Sequence, residues 1–185
     1  MINRKEAKES IDSYLGEKEK SVLRTVDRET LELFKSKNVL PNKSYYVRGS
    51  KRILEQFKSY YLVNCLKEEI RPKYGLHMIT EWASLLSSTS MDDYGADDVL
   101  FLYAHKNDID IGKSEEWLAK TIINDVANRN RKGYATVILT ERDLPLVKAC
   151  GELTPITLSK TIRGSTPVEE SKSCEKTASG STVYN

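Results

Sequence analysis

The sequence is poor in the residues from which most reactive centres are built. Its 185 residues include two histidines and three cysteines. Cys65, Cys150 and Cys174 are far apart and odd in number, so they form neither a Cys-x-x-Cys pair nor a disulfide framework. His77 and His105 share no metal-ligand spacing with them. No metal and no cofactor is therefore expected. No apolar run approaches the roughly 18 residues that cross a bilayer, and the opening MINRKEAKES lacks the apolar core of a secretion signal. The expectation is a cytoplasmic protein that does not enter membranes. An excess of one charge is also missing: 29 basic and 27 acidic side chains leave a net charge of +2. Such balance does not advertise a nucleic-acid binder, although local basic patches are compatible with it.

What is present is an alternation of short apolar runs with helical periods. Residues 1–37 place Ile11, Leu15, Val22, Val26, Leu31 and Phe34 at helical spacing, which predicts a helical N-terminal arm packed on the rest. Ser44–Val47 suits a strand, and 52–69 a helix with Ile53, Phe57, Tyr60, Tyr61, Cys65 and Leu66 on its stripe. Tyr74–Thr80 is a second strand and Glu81–Ser88 a short helix. Asp98–Tyr103 is a third strand, apolar throughout and so buried on both faces. Ser114–Arg131 is the best helix, capped by Ser114 and ended at Lys132-Gly133. Thr136–Thr140 is a fourth strand, and Asp143–Cys150 a last helix. Strands that alternate with helices imply crossovers in a parallel sheet, hence an α/β domain over 38–163. The stretch 164–185 is rich in Ser, Thr, Gly, Lys and Glu and reads as a disordered tail.

Gly112-Lys113-Ser114 lies between a strand and a helix, as in a phosphate-binding loop. The full motif needs a glycine five positions earlier, so that backbone N–H groups close around phosphate while lysine neutralises it. That position is Asn107, and Asp108 and Asp110 would put two carboxylates inside the cradle. The simpler reading is a loop end, a solvated lysine and a helix cap. The turn after the first strand, where such folds bind phosphate, carries Gly49, Ser50 and Lys51 but no Gly-Lys-Ser/Thr.

Over about 40–162 the order and pattern resemble the AAA+ module of bacterial replicative helicase loaders of the DnaC/DnaI type, and the related IstB-like ATPases. The resemblance rests on Leu76–Leu86, on the acidic lead into Ala96–Leu102, on Ser114-Glu115-Glu116-Trp117 with Thr121–Arg131 behind it, on Ala135–Thr140, and on Lys148–Glu152. It implies a three-layer P-loop-NTPase-like (AAA+/RecA-like) sheet. It also locates the departures. The phosphate lysine and hydroxyl are missing after the first strand. The family's acidic pair after the third strand falls at Tyr103-Ala104-His105. Its asparagine after the fourth strand falls within Glu141-Arg142-Asp143, and its arginine finger falls in a region offering Lys160 and Arg163. Phosphoryl transfer is largely positioning and charge neutralisation, so these losses imply a scaffold without the ATPase.

The expected function is a non-catalytic AAA+-like protein that acts by protein binding in DNA replication. Its expected partner is a replicative helicase, a loader or another replisome component; self-association and a phage or mobile-element origin are compatible with this. Two alternatives stand beside it. One is a binder of single-stranded nucleic acid, using Arg48, Lys51, Arg52, Lys58, Arg71 and Lys73 with Tyr45, Tyr46, Tyr60, Tyr61 and Tyr74 as stacking groups. The other is an ATPase with an atypical phosphate loop at 107–114.

Overall fold

A computed structural model describes residue 9 and residues 13–88, 97–105 and 115–159. The elements run α1 (Glu17–Arg24), α2 (Arg28–Ser36), β1 (Tyr45–Arg48), α3 (Lys51–Lys67), β2 (Tyr74–Met78), α4 (Ile79–Ser88), β3 (Val99–Ala104), α5 (Glu115–Arg131), β4 (Ala135–Thr140), α6 (Pro145–Lys148) and β5 (Thr154–Thr157). The strands form one five-stranded sheet in the order β2-β3-β4-β1-β5. Every pairing is parallel. The protein is thus an α/β fold with a parallel sheet and flanking helices, compatible with a P-loop-like architecture.

That order dictates the layers. The step from β1 to β2 crosses the sheet in one direction, and the steps β2 to β3, β3 to β4 and β4 to β5 all run back the other way. Right-handed crossovers then put α3 on one face and α4, α5 and α6 on the other. The side chains follow with a period of two. Tyr45, Val47, Val99, Phe101, Tyr103, Val137 and Leu139 pack towards Leu54, Phe57, Tyr61 and Cys65 of α3. Tyr46, Leu100, Leu102 and Ile138 pack towards Trp82, Leu118, Ile122, Val126 and Val147 on the other face. Each strand of the sheet centre therefore needs apolar residues at successive positions, which is why β3 and β4 are buried throughout.

The N-terminal helices join the α3 core. Phe34 of α2 meets Phe57 edge-on, with ring centroids 5.6 Å apart, and tilts against Tyr60 at 5.2 Å. Asp27 caps α2 by accepting from the Thr30 N–H at 2.7 Å. Gln56 reaches from α3 to the Thr25 carbonyl at 3.0 Å, and Tyr14 donates to the Pro72 carbonyl.

Several boundaries differ from the sequence reading. The second strand stops at Met78 and α4 starts at once, because Ile79 turns into the opposite core. Asp98 lies outside β3; its carboxylate accepts from the Lys73 N–H at 2.8 Å and so fixes the entry to β2. The last helix has only four residues. β5 was not anticipated. Its Pro155 lacks an N–H, which an edge strand tolerates, and its pairing partner β1 lies over a hundred residues back. Ser114 as a cap and the tail 164–185 lie outside the described residues.

Candidate functional site

In open α/β sheets ligands settle at the carboxyl ends of the strands, where neighbouring strands send their helices to opposite faces. Here β1 and β4 are those neighbours, since α3 and α6 lie on different faces. A ligand crevice between them would be walled by Gly49-Ser50 after β1 and Glu141-Arg142-Asp143 after β4.

The first wall is short. β1 ends at Arg48 and α3 begins at Lys51, so Gly49 and Ser50 make the whole connection. A Cβ on Gly49 would sit 2.6 Å from Ile53 Cγ2 and 3.3 Å from the Leu158 carbonyl oxygen, so only glycine fits. The Gly49 N–H donates to the Thr140 carbonyl at 3.0 Å. Two residues held this way do not wrap a phosphate.

The second wall supplies an anion. The Glu141 Oε1 accepts from the Lys51 N–H at 3.1 Å, and Oε2 lies 3.2 Å from His105 Nδ1. Glu141 is placed by its own N–H, which donates to the Ala104 carbonyl at 3.2 Å. The Thr140 hydroxyl donates to the Arg142 carbonyl at 2.7 Å and accepts from the Arg142 N–H at 3.1 Å. Tyr46 accepts from the Leu144 N–H at 2.8 Å, and Arg48 pairs with Asp143 at 3.6 Å. The turn is thereby fixed on both sides of Glu141.

Beside this crevice, on the α3 face, lies a cavity of about 360 Å³. Lys51, Glu55 and Lys58 of α3 line it, with Lys18 and Glu19 of α1, His77 and Glu81 around the β2–α4 junction, Tyr103 near the end of β3 and His105 just after it. Tyr103 and His105 stack at 5.8 Å with 26° between their planes. The Lys58–Glu19 ion pair spans 2.9 Å with only 6% and 10% of the side chains exposed. Burial disfavours the charged form of Glu19, but the hydrogen bond and charge of Lys58, with a backbone N–H and Lys18, hold its carboxyl below the ordinary value. Burial pushes the Tyr103 hydroxyl up, aided by Glu55 and Glu19, so it stays neutral. Among the described residues no group of three or more His, Cys, Asp or Glu side chains could hold a metal ion. Likewise, among them no helix is long and apolar enough to cross a membrane.

The residues singled out in the sequence are separated by this geometry. Arg48, Lys51 and Arg52 sit at the carboxyl edge. Arg71 and Lys73 precede β2 and so lie at the opposite end of the parallel sheet, with Lys73 paired to Asp97 at 3.5 Å. Lys58 is buried against Glu19. Tyr45, Tyr46, Tyr60 and Tyr61 are core residues, and Tyr74 packs on Phe101 and Tyr14. Gly112, Lys113, Ser114, Asp108, Asp110, Lys160 and Arg163 lie outside the described residues. Glu141 and His105 carried no motif of their own, because their partners come from other strands.

Chemically, the site is a parallel α/β edge with a short turn and a carboxylate in its crevice. No family model matches the chain, and neither the curated proteins nor the solved structures include a match to it.

Proposed function

We propose that the protein is a non-catalytic, AAA+-like scaffold that works by binding another protein of the replication machinery: a replicative helicase, its loader or another replisome component. The observation that carries the catalytic half of this reading is the Gly49-Ser50 connection. At the edge where a P-loop-like fold would cradle a nucleotide, the chain has a two-residue turn without the Gly-Lys-Ser/Thr motif, and the Lys51 N–H that opens the helix is already taken by Glu141. Because phosphoryl transfer needs closely aimed N–H groups and a cation on the phosphates, an edge built this way supports a role in binding rather than hydrolysis. The replication partner follows from the resemblance over 40–162.

Two measurements test the reading. Calorimetry with ATP and Mg²⁺ is expected to give no heat of binding; micromolar binding abolished by Lys113→Ala would instead establish a nucleotide site at 107–114, and phosphate release from it an ATPase. Capture of purified replicative helicase or loader from the source cell on the immobilised protein is expected to retain one of them. Retention of single-stranded DNA alone, weakening steeply with salt, would favour the nucleic-acid alternative.

A further inference from the structure

We propose that Glu141 is a built-in anion: it fills the head of α3 where a dissolved oxyanion would otherwise sit, and so keeps the carboxyl edge permanently in an anion-bound arrangement. The inference deepens the reading above, resting on the same edge of the sheet, but it depends on different atoms.

α3 is 17 residues long and its positive end has no local compensation. Ser50, its N-cap, makes no side-chain capping bond, and no acidic residue stands in its first turn, which carries Lys51 and Arg52 instead. The shorter α2 shows the usual provision, with Asp27 as cap and Glu29 in the first turn. The missing negative charge on α3 is supplied from 90 positions along the chain: Glu141 accepts from the Lys51 N–H at 3.1 Å. Its second oxygen lies 3.2 Å from His105 Nδ1, after β3. One carboxylate thus ties together the ends of β1, β3 and β4, as a bound oxyanion would. It does not arrive from solution. The Thr140 and Arg142 hydrogen bonds and the Ala104 carbonyl hold the Glu141 backbone in register, so the carboxylate is present at high effective concentration and a free anion competes poorly.

Chemical rescue tests this. The wild type, Glu141→Ala and Glu141→Gln are melted in sodium acetate, in inorganic phosphate and in sodium chloride of matched ionic strength. The Lys51 amide is followed by NMR during phosphate titration. Glu141→Ala is expected to melt below the wild type and to recover in acetate or phosphate but not in chloride. Its Lys51 amide is expected to shift at a phosphate concentration about tenfold lower than in the wild type. Equal responses of variant and wild type, or an unchanged melting point, would overturn the proposal. If Glu141→Ala does not fold, Glu141→Gln, which keeps the shape and drops the charge, carries the same expectation, and an unmoved Lys51 amide overturns it equally. Lys113-dependent binding of ATP by the wild type would sink the functional reading and leave this inference standing. A wild type that ignores ATP, with variants that ignore phosphate, would do the reverse.

Discussion

Lys58 and Glu19 are the residues on which the N-terminal helices depend. Their ion pair is nearly sealed from water, and a buried charge left without its partner costs about 3–5 kcal/mol. Glu19→Ala is therefore expected to lower unfolding free energy by about 3 kcal/mol in urea titration, while a Glu19→Leu/Lys58→Met double variant recovers most of the loss. The sign with pH follows from the lowered folded-state value of Glu19. Its stabilisation is complete above the ordinary carboxylate range and disappears as pH falls through the lower folded value. Asp125 works the other way. Burial raises its carboxyl, against the 2.8 Å bond from Trp82 Nε1 and the charges of Arg129 and Lys132. A raised acid costs stability once ionised, so its contribution improves as pH drops from the folded value towards the ordinary one. Asp125→Asn keeps an acceptor for Trp82 and is expected to remove that limb from the pH–stability curve. Asp125→Ala leaves the indole N–H unpaired and is expected to cost about 1–3 kcal/mol. At Gly49, alanine meets Ile53 and the Leu158 backbone, and a loss of about 1–3 kcal/mol in thermal or urea unfolding is expected.

At the scale of elements, α3 does the most work. It fills one face of the sheet through Leu54, Phe57, Tyr61 and Cys65, with the Cys65 thiol pushed up to about 12 by burial. It receives α1 and α2 on its outer side and presents its first N–H to Glu141. The thiol is therefore neutral and sheltered. Cys65 is expected to react with a thiol reagent only at the rate of unfolding, a prediction checked by following modification at increasing urea. The apolar stripe of α3 was readable at 3.6-residue spacing. Its lysine was not: Lys58 looks like a solvated or nucleic-acid-facing cation until α1 is placed over it. β5 escaped for a related reason. Thr154–Thr157 is short and contains Pro155, so no local signal separates it from a loop, and only the open side of β1 makes it a strand.

For the whole molecule, the sheet order sets what the protein can do. With β1 between β4 and β5, and α3 alone on its face among the crossovers, ligand chemistry is directed to the carboxyl ends of β1 and β4. That edge is closed by a two-residue turn and by Glu141. A nucleotide bound a hundredfold above its dissociation constant stabilises a fold by about 2.7 kcal/mol. Millimolar ATP with Mg²⁺ is expected to leave the melting temperature where it is, and a rise of several degrees would contradict the proposed function.

The sequence alone determined the alternation of strands and helices, the two-sided burial of β3 and the absence of a complete phosphate motif, because each is written in residues close together along the chain. Tertiary structure decided the strand order, β5, the burial of Lys58 against Glu19 and the meeting of Lys51, His105 and Glu141. Those depend on residues 39, 36 and 90 positions apart, and nothing local along a chain records which distant carboxylate a helix end will find.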